Sequence, residues 1–281
     1  MADTPLVEFD DLHVTFPTSG KPVEAVRGVS YTIMPGETVG VVGESGSGKS
    51  VTAMSLLRLN EMIGAYVPKG RIHFNSRDHG RIDLAQAADD VVRGIRGKEI
   101  SMIFQEPMTC LNPVLSLRTQ LTEPLFQHQG LDPAEAEEKI VRLLSRVRIP
   151  DPLGKLAQYP HHLSGVMIAM ALACEPALLI ADEPTTALDV TIQAQILDLI
   201  KDIQEEFGMS VMFITHDMAV IAEMADRVVV MYQGQVVEQG PVDQIFHAPQ
   251  HPYTRKLINA VPRIGSMTGK PAPEKFPAIA G

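Results

Sequence analysis

The sequence predicts an α/β fold with a mostly parallel core sheet and an antiparallel β flank. Short runs rich in Val and Ile alternate with longer segments whose apolar residues recur at helical spacing. The 281 residues are 45% hydrophobic and 21% charged, so the chain can bury the core of one large domain or two small ones. A mainly disordered chain is therefore excluded.

Charge and apolar patterning exclude further classes of protein. Asp and Glu outnumber Lys and Arg by 34 to 24, and a net charge of -10 does not suit a protein that mainly grips nucleic-acid phosphates. The longest apolar run, residues 166–174, is about half of the roughly 18 residues that a membrane span needs. No secretory signal is predicted at the amino end. The two cysteines, Cys110 and Cys174, favour a reducing cytoplasm over a disulfide scaffold.

The amino-terminal part of the chain predicts the β flank and the first unit of the core. Residues 6–9, 12–16 and 30–34 are short, half-apolar and separated by turn residues, which is typical of antiparallel strands. Residues 38–42 form an apolar run that predicts a buried strand. Residues 50–59 contain no helix breaker and predict the helix that follows it.

Later segments carry clearer boundary signals. Residues 132–148 predict a helix that is capped by Asp132, begins at Pro133 and stops before Pro150. Residues 190–207 predict a second helix, with Gly208 as its terminator. Two β-rich runs between residues 227 and 239 flank Gln233 and Gly234 and predict a hairpin. Residues 263–281 are rich in Gly, Pro, Lys and Ser and are interpreted as a linker or a truncated carboxyl-terminal extension.

The strongest chemical signal is a phosphate-loop pattern between the predicted strand and helix. Its glycines allow backbone N–H groups to point at phosphates, and the following helix adds its positive dipole end. The alternative is a glycine-rich turn without a ligand. The predicted ATP-binding residues are Gly43, Glu44, Ser45, Gly46, Ser47, Gly48, Lys49, Ser50 and Val51, with Lys49 on the β- and γ-phosphates and Ser50 on Mg²⁺.

A second chemical signal is a pair of acids after an apolar run. Residues 177–181 are typical of a buried strand, and Asp182 and Glu183 follow directly. Carboxylates at a strand end beside a phosphate loop suit Mg²⁺ and an attacking water. We expect Asp182 to hold the ion and Glu183 to act as general base. Taken alone, the pair also fits a helix cap or a turn.

Taken in order, the motifs resemble the ATPase subunit of ATP-binding-cassette (ABC) transporters, a family with a P-loop NTPase fold. The similarity covers nearly the whole chain, and the domain is expected at residues 5–262 with a helical subdomain at about residues 106–175. The matching segments are the Walker A loop at 43–50, the Q-loop at 104–107, the signature start at 163–165, Walker B at 179–183, the D-loop at 187–189 and the switch histidine at 215–217.

The resemblance implies roles for further residues. Gln105 is implied as a magnesium and water contact and as the hinge that senses a membrane subunit, and the metal ligands are then Ser50, Gln105 and Asp182. His216 is implied to bind the γ-phosphate and position water. Phe16 matches the aromatic residue that stacks on adenine, although it also fits a core position.

Other segments resemble the dipeptide, oligopeptide, glutathione and nickel importer group. These are residues 104–109, 111–113, 251–254 and 260–262. The resemblance implies an ATP-hydrolysing subunit that powers import of peptides or similar small solutes, with ATP and Mg²⁺ as cofactors. It also implies a second ABC ATPase domain, on a homologous chain or a tandem half, two membrane-spanning permease subunits and, indirectly, an extracytoplasmic solute-binding protein. The expected location is peripheral, at the cytoplasmic face of the inner membrane.

The signature motif departs from the family pattern. Ser164 and Gly165 are followed directly by Val166, where family members usually have a second glycine and a polar stretch with arginines. About five residues are absent by that comparison, which turns the following helix by roughly 140° and draws it back roughly 7.5 Å.

The shortened signature bears on the ATP site of a partner. In the family, the signature Ser and glycine amides complete the site of the opposite domain in a head-to-tail dimer, and Asp189 lies in the D-loop. We expect this chain to bind ATP at its own Walker site while the site that it completes on the partner is crippled. The alternatives are a catalytically impaired ATP-binding regulatory subunit and a segment omitted from the sequence.

Overall fold

Two β-sheets form the framework of the protein, and the computed structural model describes residues 4–105, 111–159, 164–185 and 190–260. The flank sheet has the strand order β2-β1-β4-β5, and the core sheet has the order β10-β9-β3-β8-β7-β6. The strands are β1 Val7–Phe16, β2 Val23–Ile33, β3 Thr38–Val42, β4 Tyr66–Ser76, β5 Gly80–Asp83, β6 Ile100–Ile103, β7 Leu178–Asp182, β8 Ser210–Thr215, β9 Arg227–Tyr232 and β10 Gln235–Pro241.

The helices lie between the strands and after the last one. A short 3₁₀ helix, Leu59–Ile63, follows the first α-helix. The α-helices are α1 Lys49–Leu56, α2 Asp89–Ile95, α3 Leu117–Gln129, α4 Pro133–Arg146, α5 Pro152–Leu156, α6 Ser164–Leu172, α7 Val190–Phe207, α8 Met218–Met224, α9 Val242–His247 and α10 Pro252–Asn259.

The predicted parallel centre of the core sheet is confirmed. Strand β3 pairs in parallel with β8 and β9, and β7 pairs in parallel with β8 and β6. The predicted hairpin is also confirmed, since β9 and β10 pair antiparallel. Gln233 and Gly234 between them have φ values of 48° and 82°, the left-handed pair that matches the twist of a two-residue hairpin.

The flank is antiparallel as predicted, but its strand boundaries were wrong. Residues 6–9 and 12–16 are a single strand, β1, because Asp11 adopts a φ of 49° and the strand continues past the resulting register shift. Strand β2 also begins at Val23, well before the predicted start at residue 30. The irregularity interrupts the alternation of apolar and polar residues by which a strand is predicted, so one strand was predicted as two.

The core sheet is buried on both faces, and alternate residues face different layers. In β7, Leu179 and Ala181 pack with the helices α3 to α8, while Leu178 and Ile180 pack with the flank sheet and α1. All four are fully buried. The period of two therefore places α1, which follows β3, between the two sheets.

Helices α3 to α6 lie in sequence between β6 and β7 and form a helical layer with α7. The predicted burial of the apolar helix is confirmed, because residues 166–169 and 171–174 of α6 and its carboxyl end are buried. The chain limits 5–262 and 106–175 stay predictions, and the tail at 263–281 lies outside the described residues.

Helix α4 offers a test of local stabilisation. The Asp132 carboxylate accepts hydrogen bonds from the N–H groups of Ala134 and Glu135, both at 2.9 Å, and the Glu135 carboxylate accepts one from Asp132 N–H at 3.1 Å. We expect Asp132→Ala to lower the free energy of unfolding by about 1 kcal/mol, because it removes this cap. Asp132→Asn is the matched control and should change it by much less. Equal losses in chemical denaturation would contradict the capping role.

Candidate nucleotide-binding site

Four predicted site segments meet at one edge of the core sheet. The parallel strands β3, β6, β7 and β8 all end there, and register pairs Val42 with Thr215 and Asp182 with Ile214. Ile103 likewise lies opposite Ala181. Carboxyl ends of parallel strands share an edge, so the loops that leave them face a common space, where ligands bind in open α/β sheets.

The phosphate loop joins β3 to α1 with a backbone that requires glycine. Gly43 has a φ of 155°, and a Cβ atom there would collide with the Met231 carbonyl oxygen of β9. Gly48 has a φ of 99°, and its Cβ atom would lie 2.8 Å from the Ala25 carbonyl oxygen. Both glycines are therefore fixed by close backbone approach as well as by conformation.

Lys49 is folded over the loop. Its Nζ donates to the carbonyl oxygens of Gly43 at 2.7 Å and Glu44 at 2.8 Å. The side chain is buried, and burial lowers the pKa of Lys49, while the carboxylates of Glu183 and Asp182 partly oppose that shift. The lysine is thus a buried cation placed at the start of α1, where an anion is also favoured by the helix dipole.

Ser50 and Asp182 are brought together as predicted for a metal site. Ser50 Oγ donates to Asp182 Oδ1 at 3.0 Å, across 132 residues of sequence. Asp182 is buried, and burial raises the pKa of its carboxyl group, an effect that the Ser50 hydrogen bond and Lys49 oppose. Glu183 adds to the rise. A part-buried hydroxyl beside a buried carboxylate provides oxygen donors of the kind that Mg²⁺ prefers.

Glu183 lies between the two other predicted catalytic residues. Gln105 Nε2 donates to Glu183 Oε2 at 3.1 Å, and His216 Nδ1 lies 3.3 Å from Glu183 Oε1. The His216 side chain is 66% exposed, whereas that of Glu183 is 15% exposed. The three side chains therefore form one cluster, in which Gln105 donates to Glu183, and not to the Ser50 and Asp182 pair with which it was predicted to bind a metal.

The backbone at Glu183 is strained. Its φ of 48° lies in the left-handed region, which is uncommon for a residue with a side chain. Its N–H donates to the Ile214 carbonyl oxygen of β8 at 2.8 Å, so sheet pairing continues past the last residue of β7 and holds this conformation. Such strain persists where the surrounding structure over-determines it, and it aims the carboxylate at Gln105 and His216.

The remaining predicted residues lie elsewhere. Phe16 is partly buried at the end of β1, against the apolar cluster that Val51 also contacts. Gly165 lies in the first turn of α6, where a Cβ atom would be 2.8 Å from Ile149 Cδ1. Ser164 begins α6. Asp189 lies outside the described residues.

Two hydrogen bonds that hold the phosphate loop were not predicted from the sequence. Glu44 N–H donates to the Tyr253 hydroxyl at 2.9 Å, and Gly234 N–H donates to the Ser47 carbonyl oxygen at 3.0 Å. Tyr253 belongs to the segment 251–254, which the sequence associated with a transporter group without giving it a role. The Gly234 turn was predicted, but not its contact.

The described residues contain neither a cluster of metal-binding side chains nor a membrane-spanning helix. Among them, His, Cys, Asp and Glu side chains form no cluster of three or more that could hold a metal ion. None of the helices within the described ranges has the length and apolar character needed to cross a bilayer.

Burial of Asp182 predicts a trade of stability for function. Because its pKa is raised in the folded state, the charged form destabilises the fold above that pKa, and the penalty fades as pH falls through it. We expect Asp182→Asn to raise the thermal unfolding midpoint of the nucleotide-free protein at neutral pH, and to do so less at acidic pH. Asp198→Asn, on the exposed face of α7, is the matched control. A lower midpoint for Asp182→Asn at neutral pH would contradict the assignment.

Comparison with known families agrees with this geometry. The sequence profile described as "ABC transporter" matches residues 26–186, and the profile described as "Oligopeptide/dipeptide transporter, C-terminal region" matches residues 237–279. The chain is 55% identical over 273 residues to the glutathione import ATP-binding protein GsiA of Salmonella typhimurium, and 53% identical over 275 residues to that of Escherichia coli O157:H7. These alignments cover 95% and 96% of this chain but 44% of each relative.

Solved structures give the same result. The dimeric structure of a post-hydrolysis state of the ATP-binding cassette MJ0796, bound to ADP and Pi, has a TM-score of 0.71 at 26% identity, covering 84% of this chain and 98% of that one. CbiO1 of Clostridium perfringens, part of the ABC transporter complex CbiONQ, has a TM-score of 0.70 at 26% identity, covering 88% of this chain and 92% of that one. The family profile covers more than half of the chain, and the chain therefore belongs to the ABC transporter family.

Proposed function

We propose that this chain binds and hydrolyses ATP to power import of peptides or similar small solutes through a membrane ABC transporter. The observation that carries the proposal is the shared position of Lys49, Ser50, Asp182 and Glu183 at one sheet edge, although two of them lie more than 130 residues from the loop. A phosphate-binding lysine, a metal-binding hydroxyl and acid, and a general base are the parts that ATP hydrolysis requires.

ATP would bind with its phosphates against the loop and the start of α1. The loop would supply backbone N–H groups other than that of Glu44, which donates to the Tyr253 hydroxyl, and α1 would supply the positive end of its helix dipole. Lys49 Nζ now donates to two loop carbonyls and would exchange them for β- and γ-phosphate oxygens, which as anions are stronger acceptors. Phe16 is proposed to stack on the adenine.

Ser50 and Asp182 would hold Mg²⁺ together with Gln105. Their oxygen atoms suit a hard divalent cation, and Asp182 would lose the energetic penalty of its burial when a cation binds beside it. When bound, Mg²⁺ would supply positive charge that neutralises the phosphates. Gln105 would leave its contact with Glu183 to reach this position.

Glu183 would accept a proton from the attacking water. Its backbone strain and its contacts with Gln105 and His216 fix the carboxylate before substrate arrives. His216 is exposed and would turn to hydrogen-bond the γ-phosphate and orient the water. Positioning and proton removal are the contributions that a protein makes to this reaction.

The import function is supported by the carboxyl-terminal profile and by the relatives. Residues 237–279 match an oligopeptide/dipeptide transporter region, and the GsiA relatives are named for glutathione import. The proposed partners are a second ABC ATPase domain, two permease subunits and, indirectly, an extracytoplasmic solute-binding protein. The proposed location is the cytoplasmic face of the inner membrane, where the chain binds peripherally.

The shortened signature predicts a functional asymmetry in the dimer. Helix α6 begins at Ser164, and Gly165 leads directly into buried residues, so its first turn packs against Ile149 instead of presenting a polar stretch. We propose that Ser164 and Gly165, with Asp189, complete the partner's ATP site poorly. The chain's own Walker site keeps every residue that ATP binding requires.

Replacement of the proposed base tests the catalytic assignment. We expect Glu183→Gln to bind MgATP but to lower phosphate release by about a hundredfold or more, because general-base catalysis contributes that much. The matched control is Glu205→Gln on the exposed face of α7, which should keep wild-type turnover. Wild-type turnover by Glu183→Gln would overturn the role of Glu183. Tight binding without turnover by the wild-type chain in every assembly would favour the regulatory alternative.

Selective loss of one Walker site tests the asymmetry. In the assembled transporter, Lys49→Ala should lower ATP hydrolysis strongly, because it disables the site that retains an intact signature from the partner. The corresponding Lys→Ala change in the partner domain should have a much smaller effect. Equal losses from the two substitutions would contradict the asymmetry while leaving ATP hydrolysis established.

A further inference from the structure

Helix α10, the last helix among the described residues, contacts the phosphate loop through the side chain of Tyr253. Tyr253 is 6% exposed, and its hydroxyl oxygen accepts the hydrogen bond from Glu44 N–H at 2.9 Å. Its ring packs on Tyr232 at the end of β9, with ring centroids 4.3 Å apart. A residue 209 positions further along the chain thus fixes the second residue of the loop.

The surrounding segment is built to hold Tyr253 in place. Glu238 accepts hydrogen bonds from Gln250 N–H at 2.7 Å and His251 N–H at 2.9 Å, which fastens the start of α10 to β10. His251 Nδ1 accepts the Tyr253 N–H at 3.2 Å, as an N-cap, and Pro252 occupies the first helical turn. The capped and hydrogen-bonded start of α10 therefore holds the Tyr253 side chain against the loop.

The hydroxyl is the polar part of a mostly apolar contact. Burial raises the pKa of Tyr253 to about 12, so the group is a neutral hydroxyl throughout the physiological range. A neutral acceptor satisfies Glu44 N–H without placing a negative charge beside the phosphate site. An unsatisfied N–H in a buried position would be costly, so this bond favours one loop conformation over others.

We propose that Tyr253 is a positioning residue of the phosphate loop. Through this residue, the order of helix α10 is coupled to ATP binding. This inference rests on the proposed function. Tyr253 acts on the loop through Glu44 N–H, which donates to its hydroxyl oxygen. Because coupling between two sites is reciprocal, ATP binding should in turn stabilise α10.

Tyr253→Phe separates the hydroxyl from the packing of the ring. We expect this variant to raise the Kd and the KM for MgATP about three- to tenfold, the change that corresponds to one lost buried hydrogen bond. Its kcat should be unchanged, since the loss affects substrate and transition state alike. In hydrogen exchange, MgATP should protect residues 252–259 of the wild-type chain and protect them less in the variant.

Tyr31→Phe is the matched control. Tyr31 is also a buried tyrosine packed on an aromatic ring, Phe9, but its hydroxyl faces the sulfur of Met212 at 3.9 Å and not the loop. This variant should keep the wild-type Kd, even if its thermal midpoint falls as much as that of Tyr253→Phe. A purely structural tyrosine would lower stability in both variants and leave the Kd of both unchanged.

The possible results separate the inference from the function on which it rests. Weaker MgATP binding in Tyr253→Phe alone supports it. Equal affinity of Tyr253→Phe and the wild-type chain overturns the inference and leaves ATP binding intact. A wild-type chain that binds no MgATP overturns the proposed function, and the positioning role is overturned with it.

Discussion

The parallel pairing of β3 with β8 and of β8 with β7 is the constraint on which the site depends. Each of these strands is fully buried, so its position in the sheet is set by packing on both faces. Their common direction brings the ends of distant segments to one edge. The candidate site forms at that edge, because the phosphate loop, Asp182 and Glu183 become neighbours there although they are far apart in the sequence.

A second consequence is electrostatic. Lys49 and Asp182 are both buried, and burial shifts the pKa of each toward the neutral form. Both charged groups are therefore incompletely solvated, and the proposed phosphate and Mg²⁺ would be better partners for them. Folding therefore supplies part of the free energy needed to desolvate and position these groups, as is common in pre-organised binding sites.

The sequence predicted those parts of the site that lie within continuous motifs. The loop at 43–50 and the acids at 182 and 183 are recognisable because the residue types, their spacing and the flanking strands must occur together. The capped helix α4 and the Gln233 turn were likewise local and were predicted correctly. Local backbone chemistry is sufficient information for such features.

Contacts between distant segments were not predictable in the same way. The hydrogen bonds from Glu44 to Tyr253 and from Gln105 to Glu183 depend on which strands become neighbours. No residue spacing in the sequence encodes that order of strands. The continuity of β1 was missed for a different reason, since the irregularity at Asp11 breaks the alternation that a strand should show. The pattern was interrupted while the pairing was not.

Titration of the purified chain with MgATP, beside Lys49→Ala, is the most direct test of the central claim that the edge at β3 is a formed nucleotide site. We expect saturable binding by the wild-type chain and a Kd raised about tenfold or more by Lys49→Ala, because the variant loses hydrogen bonds to charged phosphate oxygens. Absence of saturable binding, or equal affinity of the two proteins, would contradict it.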